Sequence, residues 1–213
     1  MIPLYPFYLF DLDGTLLDSA EDICGAVRQI LSATADAPQP SFEFLKKYIG
    51  LHLIALFTDL FPHYSPEQIE PLIQQYRAEY PKRDHAATHL YPGVTDALSQ
   101  LGGRKATATT KATVTTRIVL EKFGLLRYFD HVQGTDGFPC KPAPDVLLAS
   151  MKALGAAPSE TLMVGDSPAD MEAARAAGVK VCAVRYGYGD PAELAKWKPD
   201  YWVSDLRELL LER

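Results

Sequence analysis

Two aspartates stand two residues apart in the segment YLFDLDGTLLDS, which covers residues 8–19. Asp11 and Asp13 directly follow an apolar run, and Gly14 then favours a turn. Side chains two positions apart on a strand lie on the same side, so these two carboxylates would repel each other. At about 4 Å and an effective dielectric constant near 20, the repulsion is about 4 kcal/mol. A bound cation or a shared proton is therefore expected at this position.

Other side chains that could do chemistry follow apolar runs farther along the chain. They are Thr109, Thr110 and Lys111 in KATATTK, Lys141 in TDGFPCKPAPD, and Asp166, Ser167 and Asp170 in TLMVGDSPAD. In an open α/β sheet, ligands bind beyond the carboxyl ends of the strands. If these strands are adjacent, their carboxylates predict an oxygen-lined Mg²⁺ site, and Lys141 adds a second cation. Such a pair of cations would bind a tetrahedral dianion.

Each of these residues also has a purely structural interpretation. Asp-x-Asp-Gly is a common turn sequence, Thr109 suits a strand, and Lys141 would be an ordinary solvated loop lysine. Asp170 follows Ser167 at the spacing of a helix-capping carboxylate. Chance would have to place all four motifs at strand ends, so together they favour a reactive site.

The elements that must position these residues alternate along the chain. Short apolar runs predict strands and the amphipathic stretches between them predict helices, which indicates an α/β fold with a mainly parallel sheet. The predicted strands cover residues 6–11, 105–110, 130–134, 161–166, 180–187 and 200–205.

Residues 18–87 interrupt this alternation with helical patterns separated by prolines. A helical block inserted directly after the first strand predicts a lid over the carboxyl end of that strand. We therefore expect two units: an α/β core formed by residues 1–17 and 88–213, and a helical cap domain formed by residues 18–87.

Composition excludes some classes of partner. The net charge is −6 and no long run of Lys or Arg occurs, so we expect no nucleic acid to bind. No segment approaches the roughly 18 apolar residues that would cross a membrane, and the first residues do not read as a signal peptide. The cysteines at 24, 140 and 182 are odd in number and far apart, which predicts free thiols and a cytoplasmic location. The sequence does not indicate the oligomeric state.

In four motifs and their order, the chain resembles the haloacid dehalogenase (HAD) superfamily of phosphohydrolases. DLDGT resembles the first motif, Thr109 in TATTK the second, Lys141 in CKPAPD the third, and GDSPAD the fourth. The helical insert is similar to the helical cap of that family, and the resemblance implies a Rossmann-like core. TDGFPCKPAPDVLL and MVGDSPADMEAARAAG are most similar to the phosphoglycolate phosphatase branch.

The resemblance also implies a role for each residue. Asp11 would be the nucleophile that forms an aspartyl-phosphate, and Asp13 the general acid and base. The implied phosphate-binding residues are Gly14, Thr15, Thr109, Thr110 and Lys141, with Thr110 standing where relatives have Asn. Mg²⁺ would be bound by the Asp11 carboxylate, the Asp13 backbone carbonyl and Asp166. Asp170 would contact the ion through water and orient Lys141.

The predicted function is hydrolysis of a small phosphorylated metabolite by a Mg²⁺-dependent phosphatase, with 2-phosphoglycolate as the candidate substrate. Asp13 disfavours a dehalogenase, and Leu53 stands where phosphonate-cleaving relatives have a lysine. A sugar phosphomutase of the same fold and a catalytically inactive HAD-like binding domain are the alternatives. The residues that determine substrate specificity are left open. The candidates are His52, Ile54 and Arg185, and Ile54 stands where relatives often have Arg.

Overall fold

A computed structural model describes residues 2–210, in which strands and helices alternate as the sequence predicts. The strands are β1 (Phe7–Phe10), β2 (Leu17–Asp18), β3 (His89–Leu90), β4 (Arg104–Thr107), β5 (Thr161–Gly165), β6 (Lys180–Val184) and β7 (Tyr201–Val203). The helices are α1 (Ala20–Ser32), α2 (Phe42–Lys46), α3 (Leu53–Leu60), α4 (Pro66–Glu79), α5 (Val94–Gln100), α6 (Thr113–Lys122), α7 (Asp145–Leu154), α8 (Pro168–Ala177) and α9 (Pro191–Lys196). Short 3-10 helices cover Tyr80–Arg83, Leu126–Tyr128, Pro158–Glu160 and Leu206–Leu210.

The main sheet is parallel and has the strand order β4-β1-β5-β6-β7. Strand β1 lies between β4 and β5, and Phe10 pairs with Thr107 on one side and Val164 on the other. The chain winds outward from β1 in both directions, so the carboxyl end of β1 borders the crevice where α/β folds bind ligands. The α/β fold with a mainly parallel sheet is confirmed.

Strand β1 is apolar throughout because both of its faces are covered. Tyr8 and Phe10 are buried in one hydrophobic cluster, with Val94, Leu98 and Leu120 from the helices on that side. Leu9 points to the opposite face and is buried in a second cluster. A strand covered on both faces shows a continuous apolar run rather than alternation.

The first three residues of the weakly hydrophobic segment KATATT form strand β4 together with Arg104, and the strand ends at Thr107 rather than at residue 110. Its small side chains suit close packing. Ala106 is fully buried, and helix α7 approaches the strand closely enough for Ser150 Oγ to donate to the Thr107 carbonyl at 2.8 Å. Ala has little β-propensity of its own, so the packing of α7 determines this strand.

The prediction of a strand over residues 130–134 is wrong. Only an isolated pairing of His131 with Ala106 occurs there. Side chains form hydrogen bonds with backbone groups that would otherwise pair between two strands. The Asp130 carboxylate accepts from the Lys105 N–H at 2.8 Å, and Thr107 Oγ1 donates to the Gln133 carbonyl at 2.8 Å. The segment is thereby held beside β4 as an irregular chain.

Helices α1 to α4 pack around a hydrophobic cluster of their own, whose central side chains include Val27, Leu31, Phe57 and Ile73. The chain enters and leaves this helical block through the short antiparallel pair β2 and β3, which the sequence did not predict. Asp22, which is buried in α1, stabilises the segment by which the chain leaves the helical block, because its carboxylate accepts from Thr88 Oγ1 at 2.7 Å. The proposed domain boundaries at residues 18 and 87 stay a prediction.

Two further predictions from composition concern thiols and membranes. The three cysteines are free thiols, as predicted. The longest helix, α4, has 14 residues. Over residues 2–210, none of the helices has both the length and the apolarity to cross a bilayer.

Candidate active site

The carboxyl ends of the central strands bring three predicted carboxylates together. Asp11 follows β1, Asp166 follows β5, and Asp170 lies in the first turn of α8, directly after β5. Each offers one oxygen, and these oxygens lie within 4.8 Å of one another. All three side chains are buried, so they interact in a medium that screens their charges poorly.

Lys141 lies between two of these carboxylates. Its Nζ is 2.8 Å from Asp11 Oδ1 and 2.5 Å from Asp170 Oδ1, and its side chain is fully buried. Burial alone would lower the pKa of Lys141, but the attraction of Asp11 and Asp170 outweighs it and the pKa lies above the ordinary value. The lysine therefore stays a cation at neutral pH.

The second oxygen of Asp11 is buried without any hydrogen-bond partner among the described residues. Burial raises the pKa of Asp11 to about 7, with Lys141 opposing and the Asp170 and Asp13 charges adding to the increase. An unpartnered buried carboxylate oxygen is unfavourable unless something binds it. Carboxylate oxygens are the ligands that Mg²⁺ prefers, so Asp11 and Asp166 fit such an ion.

Asp166 is held by the loops after β1 and β6. Its Oδ1 accepts from Thr15 Oγ1 at 3.0 Å, and its Oδ2 accepts from the Tyr188 N–H at 2.8 Å. Burial raises the pKa of Asp166 well above its usual range, and the charges of Asp11 and Asp170 raise it further. The orientation of this carboxylate is therefore fixed before any ligand arrives.

Gly14 allows this close approach, and we predict that Gly14→Ala disrupts it. A Cβ at Gly14 would lie 2.3 Å from Asp166 Oδ2, and the backbone there has φ +92°. Displacing a site carboxylate by about 1 Å costs about 100-fold in rate, so we expect that loss in kcat. The matched control is Gly124→Ala, because Gly124 also has positive φ (+68°) but open space around it. Equal activity losses in the two variants, measured as kcat, would contradict the prediction.

Asp13 is oriented by contacts to both of its oxygens. Ser19 Oγ donates to Oδ1 at 2.6 Å, and Lys111 Nζ lies 3.2 Å from Oδ2. Lys111 also donates to Tyr80 Oη at 3.0 Å, where helix α4 passes into a 3-10 helix. Ser19 was not among the predicted site residues, whereas Lys111 was identified among the polar residues that follow the predicted strand but was given no role. The available signal for Lys111 was its position directly after Thr109 and Thr110 at the end of β4.

Asp170 is both a helix-capping carboxylate and a member of the carboxylate cluster, the two roles that its sequence context allows. Its Oδ2 accepts from the N–H and the Oγ of Ser167, at 3.0 and 2.7 Å, in a capping box at the start of α8. Its Oδ1 accepts from Lys141. Both oxygens of this carboxylate thus accept from protein donors, which suits a residue that positions Lys141.

The predicted phosphate-binding residues lie around the same carboxylates. The N–H groups of Gly14 and Thr15 donate within the turn, to the carbonyls of Leu17 at 2.8 Å and Leu12 at 3.3 Å. The Thr109 hydroxyl is buried and accepts from the Lys111 N–H at 3.3 Å, whereas Thr110 is half-buried. Their contacts with phosphate stay a prediction.

The three candidate specificity residues make contacts outside the carboxylate cluster. His52 caps α3, since its Nδ1 accepts from the Ile54 N–H at 3.2 Å. Ile54 is 43% exposed. The Arg185 guanidinium stacks over the Trp202 ring at 4.3 Å. None of these contacts joins them to the carboxylate cluster.

The helical block and the loop after β6 close over the site. A Cβ at Gly50, between α2 and α3, would lie 3.7 Å from Ser167 Oγ. Tyr188 Oη accepts from the Ser19 N–H at 2.7 Å and donates to Asp18 at 3.0 Å. Asp11 is 1% and Asp13 8% exposed, so little water reaches either carboxylate.

Comparison with protein families and curated sequences gives consistent matches. The model of a family described as haloacid dehalogenase-like hydrolase matches residues 8–184. Phosphoglycolate phosphatase 1 of Pseudomonas aeruginosa is 36% identical over 212 residues, covering 95% of this chain and 77% of that protein. The phosphoglycolate phosphatase of Nitrosospira multiformis is 36% identical over 209 residues, covering 94% and 92%.

Solved structures agree in fold over nearly the whole chain. A predicted phosphatase from Clostridium acetobutylicum superposes with a TM-score of 0.88 at 32% identity, covering 97% of each chain. A haloacid dehalogenase-like family hydrolase from Streptococcus pneumoniae gives a TM-score of 0.88 at 28% identity, with the same coverage.

Proposed function

This chain belongs to the haloacid dehalogenase-like hydrolases and is a phosphoric monoester hydrolase, and we propose that it hydrolyses a small phosphomonoester through an aspartyl-phosphate on Asp11. The observation that carries the proposal is the buried oxygen of Asp11 that has no hydrogen-bond partner among the described residues. It belongs to a carboxylate whose other oxygen is held by Lys141 at 2.8 Å. One oxygen is thus fixed and the other is available to bind or attack.

Asp11 is the nucleophile in this proposal. Its carboxylate oxygen forms a bond to phosphorus while the bond from phosphorus to the ester oxygen breaks. Lys141 and Thr109 hold the phosphoryl oxygens as negative charge develops on them. Asp170 keeps the Lys141 ammonium beside Asp11 through its 2.5 Å contact.

Asp13 supplies the proton in the first step and removes one in the second. It protonates the departing alkoxide, and it then takes a proton from the water that attacks the aspartyl-phosphate. Water attack releases phosphate and restores the Asp11 carboxylate. Ser19 fixes the Asp13 carboxyl group through a 2.6 Å hydrogen bond, so the same group can serve both steps.

Asp11, the backbone carbonyl of Asp13 and Asp166 would hold Mg²⁺. When bound, the ion would neutralise charge on the phosphoryl oxygens and on the carboxylates themselves. Thr15 and the Tyr188 N–H keep Asp166 oriented for that role.

We propose 2-phosphoglycolate as the substrate, a small phosphorylated metabolite of the cytoplasm. The support is the name shared by curated relatives at about one-third identity over nearly the whole chain. The closed helical block agrees with a small substrate, since the reacting carboxylates are almost completely buried.

The proposal predicts metal-dependent phosphate release. We expect turnover of 4-nitrophenyl phosphate and 2-phosphoglycolate with Mg²⁺, and a loss of at least about 100-fold in kcat after treatment with EDTA, because several kcal/mol of charge stabilisation disappears. Restoring Mg²⁺ restores the rate and serves as the control. Full activity in EDTA would contradict the metal requirement, and no turnover of any monoester would contradict the proposed function.

A further inference from the structure

Lys111 is a largely buried cation beside the proposed general acid. Its side chain is 10% exposed, and its Nζ lies 3.2 Å from Asp13 Oδ2. Its other described contacts are with Tyr80, whose hydroxyl accepts at 3.0 Å and whose ring centroid lies 4.4 Å from Nζ. An ammonium has three donors, and these contacts account for two of them. The third has no acceptor among the described residues and can donate to a ligand.

Lys141 and Lys111 contact the two aspartates that act on opposite sides of the phosphorus atom. Lys141 contacts Asp11, which attacks phosphorus, whereas Lys111 contacts Asp13, which protonates the leaving oxygen. Attacking and leaving oxygens lie roughly in line on opposite sides of phosphorus. Lys111 therefore belongs to the leaving-group side of the site.

Distance limits show what Lys111 can reach. A leaving oxygen that receives its proton from Asp13 Oδ2 lies about 3 Å from that atom, and hence at most about 6 Å from Lys111 Nζ. A carboxylate joined to that oxygen through one methylene carbon can span this distance and accept a hydrogen bond from the remaining donor of Lys111. An uncharged alkyl group at the same position would leave the donor unpaired.

Charge balance favours an anion at this position. The Lys111 side chain is only 10% exposed, and among the described residues its one carboxylate contact is Asp13 Oδ2 at 3.2 Å. A largely buried cation is stabilised when further counter-charge lies within contact distance. An anionic group on the substrate would supply that charge at the remaining donor.

We propose that Lys111 binds a second anionic group of the substrate, a carboxylate one carbon away from the ester oxygen. This inference rests on the proposed phosphatase function and names the residue that would select phosphorylated 2-hydroxy acids such as 2-phosphoglycolate. It also assigns specificity to the loop after β4 rather than to the helical block, where His52 caps a helix and Ile54 carries no charge.

The test compares 2-phosphoglycolate with ethyl phosphate, in which an uncharged methyl group replaces the carboxylate. For wild type, we expect kcat/KM to favour 2-phosphoglycolate by at least about 10-fold, as for a charge-assisted hydrogen bond. In Lys111→Met that preference should fall by about 10-fold, mainly through KM, while kcat/KM for both esters decreases because Asp13 loses a contact. Lys111→Arg should retain part of the preference. Lys152→Met, at an exposed lysine of α7, should behave as wild type.

Binding provides a readout that does not depend on turnover. Calorimetry with 2-phosphoglycolate in an Asp11→Asn background should show weaker binding by a similar factor when Lys111→Met is added. The inference is overturned if wild type shows no preference between the two esters, or if Lys111→Met lowers both kcat/KM values equally. In either case the phosphatase function stands. Failure of wild type to hydrolyse any ester would instead overturn the proposed function and, with it, this inference.

Discussion

Asp11→Asn is expected to abolish phosphate release, lowering kcat by at least about 10³-fold with 2-phosphoglycolate or 4-nitrophenyl phosphate. Asn has nearly the same shape and can still accept from Lys141, so the substitution removes the nucleophile and little else. Single-turnover measurement of phosphate release in Mg²⁺ checks the prediction. Asp96→Asn, at an exposed carboxylate on α5, is the matched control and should keep wild-type activity.

Asp11→Asn should be at least as stable as wild type. Its loss of activity can then be assigned to the missing nucleophile and not to unfolding. Burial raises the pKa of Asp11 from 3.8 to about 7, so the folded protein holds a proton there that the unfolded chain releases. Between about pH 4 and 7 the folded state binds more protons, and the contribution of Asp11 to the free energy of unfolding falls as pH rises. Asn has no proton to lose.

We therefore expect the Tm of Asp11→Asn, measured in EDTA, to match wild type near pH 4 and to exceed it increasingly up to about pH 7. A lower Tm at neutral pH would show that the Asp11 charge stabilises the fold. Phosphate release near the wild-type rate would reject Asp11 as the nucleophile.

The sequence predicted the carboxylate cluster because strand ends are local features. Asp11 and Asp166 each follow an apolar run, and the parallel sheet places such runs side by side. No periodicity indicates contacts made across the helical block. Tyr80 meets Lys111 over 31 residues of chain, and Tyr188 meets Ser19 over 169. Those partners follow only from tertiary packing.

The incorrect and missing strands have a related cause. Residues 130–134 contain a single apolar side chain, Val132, and polar side chains compete successfully for the backbone groups of this segment and of β4. Strands β2 and β3 have two residues each, too few to show an alternating pattern. They are stabilised by the junction between the helical block and the core rather than by their own residues.

Lys141→Met is expected to destabilise the fold strongly, by about 3–5 kcal/mol in the metal-free protein. Met retains most of the apolar stem of lysine but has no charge. Asp11 and Asp170 would then be buried carboxylates without the cation that lies 2.8 and 2.5 Å from them. Urea unfolding at pH 8 in EDTA measures the loss. The matched control is Lys180→Met, because Lys180 pairs with Asp200 at 2.7 Å but is 55% exposed, and solvent screening makes such pairs weak.

The double variant Lys141→Met/Asp170→Asn tests whether repulsion between carboxylates causes this loss. Removing one of the unpaired charges should recover part of the stability without restoring phosphate release, since the cation that holds the phosphoryl group is still missing. Mg²⁺ should also stabilise Lys141→Met more than wild type, because the ion would then be the sole counter-charge for Asp11 and Asp166. A single variant as stable as wild type would mean that the carboxylates share protons when Lys141 is absent. In that case their negative charge would depend on the lysine, and Lys141 would be needed to keep Asp11 nucleophilic as well as to bind phosphate.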